Sequence, residues 1–277
     1  MNNIDSNIHY YENYDWSEHG EEWSSPWGNT QGLWKATIFP RIRKFLPAKR
    51  IVDIGCGHGR LGHYLHHHTI EHLTLIDLMP DCVTQSTNRM KGLDNVSVRQ
   101  TDGTTLTDVS DHSIDFIFSF YSLVGADIHT LDSYMAEISR CLTKDGVAFI
   151  HHSNARHYFD PTSTHQSRSM ALLSTYRDSS VCSKTLATHA QEHGLTCFEQ
   201  ECVNWDVEQV LSDCFSTIAR RGSIWDVGSI CHQNLGFRKE RALIREYLQR
   251  RSMTKNPRQS ISSAQLPSSY RSVNCPA

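Results

Sequence analysis

The sequence lacks any apolar run of the roughly 18 residues that a membrane-spanning helix needs, and its nine cysteines include no Cys-x-x-Cys pair. Its formal net charge is only −3 over 277 residues. Its first ten residues, MNNIDSNIHY, contain neither the basic region nor the apolar core of a secretion signal. These absences argue against a membrane protein, a disulfide-stabilised secreted domain and a general nucleic-acid binder. We therefore expect a cytoplasmic protein with reduced thiols and no nucleic-acid or membrane partner.

Tryptophan, by contrast, is concentrated near the N-terminus. Four of the six tryptophans lie within the first 34 residues: Trp16, Trp23, Trp27 and Trp34. The same 34 residues hold six acidic residues and no Lys or Arg. Such large aromatic side chains seldom remain in solvent. Residues 1–48 are therefore expected to fold over the main domain, either by packing alone or as a lid over a binding site.

Predicted strands and helices alternate over residues 49–253, the expected main domain. The apolar runs predict strands at 50–54, 73–77, 96–100, 114–120, 147–152, 195–204 and 213–219. Helices are predicted at about 59–68, 80–92, 129–142, 182–193 and 237–252. Alternation of this kind predicts an α/β fold, with a mostly parallel sheet and helices on both faces. Residues 254–277, rich in Ser, Pro and Asn, are expected to form a disordered tail.

A glycine-rich turn follows the first predicted strand. In IVDIGCGHGR, residues 51–60, Gly55, Gly57 and Gly59 form a G-x-G-x-G pattern where a helix begins. The dinucleotide-binding fingerprint G-x-G-x-x-G needs its third glycine one position later, where this chain has Arg60. The turn therefore suits a nucleotide at the carboxyl ends of the strands but disfavours an NAD(P)-dependent oxidoreductase.

Three aspartates lie near strand ends at almost even spacing. Asp77 ends the second strand, where a carboxylate can accept hydrogen bonds from both hydroxyls of a ribose. Asp102 follows the third strand, where it can accept one from an adenine amino group. Asp53 lies beside the glycine turn, where it either holds the turn or faces a ligand ammonium. A ligand with a ribose, an adenine, an ammonium and a sulfonium, but no phosphate, fits these acids better than NAD does. That ligand is S-adenosylmethionine (SAM).

The motifs from about Lys49 to Ala219 resemble those of class I SAM-dependent methyltransferases. DIGCGHG resembles their first motif, LIDLMP their acidic second-strand end, QTDGTTL their adenine-side loop, and DHSIDFIFSFYSLV their fourth-strand motif. The resemblance implies a Rossmann-like, seven-stranded sheet in the order 3-2-1-4-5-7-6, with the seventh strand antiparallel, and SAM as cofactor. The expected cofactor contacts are Asp53, Gly55, Cys56, Gly57, Gly59, Arg60, Asp77, Leu78, Asp102, Gly103, Ser119 and Phe120.

A narrower resemblance is carried by HGEEWSSPWG, FIHHSN and VNW. These segments are similar to a bacterial methyltransferase subgroup often associated with sugar or glycan modification. The chain departs from that subgroup at Tyr121, where the subgroup carries Asp, and at Gly125, where it carries His. The resemblance implies methylation of a hydroxyl on a sugar or another small polar metabolite. N-methylation of a small amine and a non-catalytic SAM-binding protein are the alternatives.

The catalytic candidates follow the fourth and fifth strands. His151 and His152 end the fifth strand and point to opposite faces, so only one can easily reach an acceptor. A histidine with a pKa of about 6.5 suits a general base for a hydroxyl. We expect His152, nearer the mouth of the site, to be that base, with Tyr121 and Asn154 as acceptor contacts. The histidines of HYLHHHTIEH, residues 63–72, are expected to be a solvated helix end, and no metal is predicted.

Overall fold

The computed structural model describes residues 3–159 and 176–254, in which eight strands form one sheet. The strands are β1 Ala48–Ile54, β2 Thr69–Asp77, β3 Val96–Gln100, β4 Ile114–Leu123, β5 Leu142–Ser153, β6 Leu195–Val203, β7 Asp213–Arg220 and β8 Ile230–Asn234. They lie in the order 3-2-1-4-5-7-6-8. Neighbouring strands are parallel except where β7 pairs with β5 and β6. The predicted order, with its antiparallel seventh strand, is confirmed.

Strand β8 is an addition that the sequence pattern does not predict. It extends the sheet beyond β6 in a parallel register that runs from Glu199↔Ile230 to Val203↔Asn234. Its residues, ICHQN, are exposed or half-buried. A strand with no buried face needs no apolar alternation, so its sequence carries no periodic signal.

Helices cover both faces of the sheet. They are α1 Asn3–Glu12, α2 Thr30–Leu33, α3 Phe39–Ile42, α4 Arg60–His66, α5 Pro80–Arg89, α6 Ile128–Cys141, α7 Arg156–Phe159, α8 Ser183–Glu192 and α9 Phe237–Thr254. One apolar core lies under α6 and α8. The second core packs the other face against α4 and the N-terminal segment. None of the helices in the described ranges is long and apolar enough to cross a bilayer.

The buried face of α6 follows its sequence pattern closely. Leu131, Tyr134, Met135 and Ile138 are each at most 2% exposed, as the spacing of three and four residues predicts. The helix begins at an N-cap, since the Asp127 carboxylate accepts a hydrogen bond from the Thr130 amide at 2.8 Å.

The N-terminal segment divides into two parts. Residues 30–45 are helical throughout, with a π turn at Trp34–Ile38 just before Pro40, which has no amide hydrogen to donate. Leu33 and Ile38 are at most 2% exposed, as is Trp27 just before this part, so residues 30–45 and Trp27 together complete the second core. The preceding part, from α1 to Trp23, lies over the edge of the sheet where the strands end. Residues 255–277, where most of the expected tail falls, lie outside the described residues.

Candidate active site

A cavity opens at the carboxyl ends of β1, β2 and β4. The strand order reverses on either side of β1, which is where ligands bind in open parallel sheets. The glycine turn, the end of β2 and the end of β4 form one wall. Tyr11, Trp16 and Trp23 from the N-terminal segment form the opposite wall.

The glycine turn takes a backbone path that larger residues rarely adopt. Gly55, Gly57 and Gly59 all have positive φ angles, of 71°, 53° and 73°. A Cβ atom on Gly55 would lie 2.3 Å from the Cβ of Ser122, so β4 leaves no room for a side chain there. Around Gly57 nothing lies within 4 Å of such a Cβ. The turn is thus packed on one side and leaves space beside Gly57.

The close approach of helix to strand, expected from a third glycine, comes instead from Gly62 on α4. A Cβ on Gly62 would lie 2.7 Å from Leu75 Cδ2. Arg60 is therefore free to serve another purpose. Its guanidinium donates hydrogen bonds to the hydroxyls of Thr30 and Ser24, and so ties the glycine turn to the N-terminal segment.

Asp77 joins the end of β2 to the glycine turn. Its Oδ2 accepts a hydrogen bond from the Gly57 amide at 2.7 Å, and its Oδ1 accepts one from the Met79 amide at 2.9 Å. The carboxylate lines the cavity, and burial raises its pKa. Each oxygen keeps a second lone pair, so the group can also accept two ribose hydroxyls.

Asp53 lines the same cavity and has a different environment. It is 2% exposed, and its Oδ2 has no hydrogen-bond partner among the described residues. Burial and the neighbouring charge of Asp77 raise the pKa of Asp53 to about 8. A buried polar atom without a partner costs about 1–3 kcal/mol. A ligand ammonium would supply the missing partner, which is one of the two roles that the sequence leaves open for Asp53.

The remaining predicted cofactor contacts divide into those that line the cavity and those that do not. Cys56, Leu78, Gly103 and Phe120 line it. Burial and the Asp77 charge raise the pKa of Cys56, so its thiol is not a nucleophile.

Two other predicted contacts, Asp102 and Ser119, do not line the cavity. The Asp102 carboxylate accepts hydrogen bonds from the amides of Thr104 and Thr105, both at 2.8 Å, and from their hydroxyls. It shapes its own loop instead of lining the cavity. Ser119 is fully buried on the face of β4 opposite Phe120, because side chains alternate along a strand, and it does not line the cavity.

His151 is buried behind the cavity and both of its ring nitrogens are engaged. The Tyr121 amide donates to Nδ1 at 3.2 Å, which leaves the ring proton on Nε2, 3.0 Å from Asp213 Oδ2. Although burial opposes it, Arg177 and the His151 hydrogen bond lower the pKa of Asp213 to about 2. Burial lowers the pKa of His151 itself. The residue positions the Tyr121 backbone and has no free nitrogen for an acceptor.

The choice of His152 as the base is also corrected. Its side chain points to the other face of the sheet, where Nδ1 donates to the Ser153 carbonyl and Nε2 accepts from the Ser216 hydroxyl, both at 2.8 Å. Burial lowers its pKa to about 4. Neither His152 nor Asn154, which donates to the Leu211 carbonyl at 2.7 Å, lines the cavity.

Tyr121 lines the cavity with a strained backbone. Its φ is 62°, in a region that bulky residues rarely occupy and that is often found at functional sites. The ring packs between Trp205, with centroids 5.0 Å apart, and Trp23, at 4.9 Å. The predicted position of Tyr121 at the site is thus supported by its geometry, and burial raises the pKa of its hydroxyl.

The sequence interpretation overlooked His58, the residue between the second and third glycines of the turn. It lines the cavity at 3% exposure, stacked on Trp16 with ring centroids 4.6 Å apart. Within residues 3–159 and 176–254, neither ring nitrogen has a hydrogen-bond partner. Its position between Gly57 and Gly59 could have identified it from the sequence as a residue of the cavity.

The cavity fits SAM on two structural grounds. The buried Asp53 oxygen lacks a hydrogen-bond partner that a ligand ammonium can supply, and the Asp77 carboxylate stands at the turn with lone pairs that can accept ribose hydroxyls. In sequence, residues 46–218 match the methyltransferase-domain family. The chain belongs to this family and is a class I SAM-dependent methyltransferase. A search of curated proteins finds no sequence relative.

Solved structures share the fold at low sequence identity. The geranyl diphosphate C-methyltransferase of Streptomyces coelicolor A3(2), bound to Mg²⁺, geranyl diphosphate and S-adenosyl-L-homocysteine, has a TM-score of 0.59 at 14% identity. That match covers 79% of this chain and 98% of the other. The PH0226 protein of Pyrococcus horikoshii OT3 has a TM-score of 0.56 at 15% identity and covers 77% and 99%. SAM is the cofactor of the present chain.

Binding of SAM is expected to release a proton from Asp53 at pH 6–7. In the free enzyme the carboxyl is protonated below about pH 8, and a cationic ligand beside it lowers its pKa. SAM affinity should therefore rise with pH over this range, by up to tenfold per pH unit for one proton. Calorimetry at pH 6.5, in two buffers of different ionisation enthalpy, measures the release.

Asp53→Asn is the matched control, since it keeps the shape of the side chain but carries no titrating proton. We expect it to bind SAM more weakly and without proton release. Equal binding enthalpies of the wild type in both buffers would show that Asp53 does not meet the ligand cation.

Proposed function

We propose that this methyltransferase transfers the methyl group to a hydroxyl of a sugar or another small polar metabolite. The observation that carries the proposal is the aromatic wall of the cavity, formed by Tyr11, Trp16, Trp23 and Tyr121. Aromatic rings with polar edges suit a ligand with one apolar and one hydrogen-bonding face, as in a sugar ring. Arg60 is the one Lys or Arg among the described cavity residues, and its guanidinium is engaged elsewhere. A phosphorylated acceptor is therefore disfavoured.

The chain contributes alignment and exclusion of water. SAM supplies a methyl group already activated by the sulfonium, so the residues hold an acceptor in line with it. A hydroxyl acceptor also loses its proton as the new C–O bond forms, and the ring nitrogens of His58 in the cavity wall, which have no hydrogen-bond partner among the described residues, are available to take it. Phe120 and Tyr121 lie near the carboxyl end of β4 at the cavity, where an acceptor oxygen would lie against rigid, packed rings. Residues from α1 to Trp23 cover the opposite side, which supports a role for this part of the N-terminal segment as a lid.

An amine acceptor is the second candidate, and the same wall favours it. Aromatic faces attract cations such as a substrate ammonium, which gives up its proton to become the free amine that accepts the methyl group. A panel of monosaccharides, glycosides and small amines, each incubated with enzyme and SAM, separates the two. We expect formation of S-adenosyl-L-homocysteine with a sugar hydroxyl and a new O-methyl signal by NMR. Turnover with amines alone would reject the hydroxyl proposal.

His152→Ala is expected to leave turnover within about threefold of wild type, because the side chain faces away from the cavity. It should lower the free energy of unfolding by about 1–3 kcal/mol through the lost buried hydrogen bonds. His151→Ala should lower kcat more, because it frees the Tyr121 amide, while SAM affinity stays unchanged. Steady-state kinetics, SAM titration and thermal unfolding measure these effects.

The pH dependence distinguishes positioning from base catalysis. Both ring nitrogens of His151 are engaged in hydrogen bonds. The pH profile of kcat in His151→Ala should therefore keep every inflection that the wild type shows. Loss of a general base lowers the rate by about 10²–10⁴-fold. A loss of that size in His152→Ala, with SAM affinity unchanged, would restore His152 as the base.

The cytoplasmic location and the absence of nucleic-acid and membrane partners stay predictions from the sequence.

A further inference from the structure

Four side chains of types that bind metals meet on the outer surface of the α6–α8 pair. Asp132 lies on α6, His189 and Glu192 lie on α8, and His193 directly follows α8. His189 and His193 are four residues apart and so lie on one side of the chain. None of the four lines the methyl-transfer cavity.

The distances bring three of these groups together, with His193 beside them on Asp132. His189 Nδ1 and His193 Nε2 each lie 2.8 Å from the same oxygen, Asp132 Oδ1. Glu192 Oε2 lies 3.6 Å from His189 Nδ1. The ligand atoms of Asp132, His189 and Glu192 all lie within 4.8 Å of one another. His193 lies outside this group of three, so its ring has to turn toward His189 and Glu192 to serve as a fourth ligand. Bonds of about 2.0–2.2 Å place the ligand atoms of tetrahedral Zn²⁺ about 3.3 Å apart.

We propose that Asp132, His189, Glu192 and His193 bind a divalent transition metal, with Zn²⁺ best matched to their ligand types. Two imidazoles with carboxylate oxygens are a common zinc ligand set, whereas Mg²⁺ and Ca²⁺ prefer oxygen ligands alone. The side chains are 29–61% exposed, so an ion can reach them from solvent.

This site differs from the histidine cluster that the sequence makes conspicuous. Within HYLHHHTIEH, the side chain of His66 forms a hydrogen bond with Asn95, and that of His72 forms one with Ser97, each at 2.9 Å. Among the described residues, the group of Asp132, His189 and Glu192 is the one whose ligand atoms converge closely enough for a metal. The proposal differs from the expectation that the protein binds no metal.

A metal bound at this site would link α6 to α8, which cover the same apolar core. α8 packs on that core through Leu186 and Ala190, and α6 through the buried side chains of its inner face. α6 also carries Thr130 and Tyr134, which line the cavity. Because the ligands come from both helices, a metal that binds only the folded chain stabilises their packing.

The test uses untagged, chelator-treated protein titrated with ZnCl₂ in a calorimeter. We expect the wild type to bind one equivalent with a Kd of about 1 μM or tighter and to unfold at a higher temperature with zinc. His189→Ala/His193→Ala should weaken this binding at least 100-fold and abolish the thermal shift. The matched control is His63→Ala/His67→Ala, which removes two histidines at the same spacing around α4. It should bind zinc as the wild type does.

Asp132→Asn provides a second variant, since it retains the side-chain volume and the fold between the helices. It should weaken zinc binding at least tenfold. Wild-type zinc affinity in the His189→Ala/His193→Ala variant, or no saturable wild-type binding below about 100 μM, would overturn the proposal. Neither readout depends on methyl transfer.

Discussion

Asp77→Ala should weaken SAM binding by about 100-fold or more. The substitution removes the acceptor that we propose for two ribose hydroxyls, each hydrogen bond to a charged group being worth about 1.5–3 kcal/mol. It also removes the acceptor of the Gly57 and Met79 amides, which hold the glycine turn against β2. Titration calorimetry with SAM and S-adenosyl-L-homocysteine measures the loss.

Asp115→Ala is the matched control for a lost carboxylate. Asp115 lies at the opposite end of the sheet, where its Oδ2 accepts a hydrogen bond from the Arg50 amide at 3.0 Å. We expect this variant to bind SAM as the wild type does. Asp77→Asn retains one acceptor oxygen and should fall between the two. Unchanged affinity in Asp77→Ala would remove the ribose assignment.

Trp27→Ala should destabilise the fold by about 3–5 kcal/mol, the usual cost of deleting a fully buried aromatic side chain. The ring is 0% exposed and packs on Trp205 and Phe237, and its Nε1 donates to the Thr37 hydroxyl at 2.7 Å. Thermal unfolding should show a Tm lower by roughly 10 °C.

Trp23→Ala, four residues earlier, should leave Tm within a few degrees of wild type and impair turnover. Its half-buried ring lines the cavity and packs against Tyr121 and Tyr14. We expect a higher KM for the acceptor, with recovery in Trp23→Phe. A large Tm loss in Trp23→Ala with unchanged kinetics would show that both tryptophans serve packing alone and that the lid proposal is wrong.

The fold was predictable because its signals are local and periodic. Buried parallel strands are continuous apolar runs, and α6 shows its inner face by spacing alone. Strand β8 was not predicted from the sequence, because an exposed edge strand has no such pattern. The N-terminal segment was expected as a unit, but packing divides it, with Trp27 in the core and Trp23 at the cavity.

By itself, the sequence determined the class of the protein and its cofactor. The backbone of the turn requires the glycines, and the charge and hydroxyls of SAM account for acids at positions 53 and 77 under the proposed binding mode; residue type and spacing record both directly. The tertiary structure alone decided which side chains reach the cavity. Which face His151 and His152 present, and what already bonds their nitrogens, depends on Asp213 and Ser216 far along the chain. The convergence of Asp132 with His189 and His193 likewise arises only when α6 and α8 pack. In the sequence, Asp132 is separated from His189 by 57 positions and from His193 by 61, so no local pattern links them.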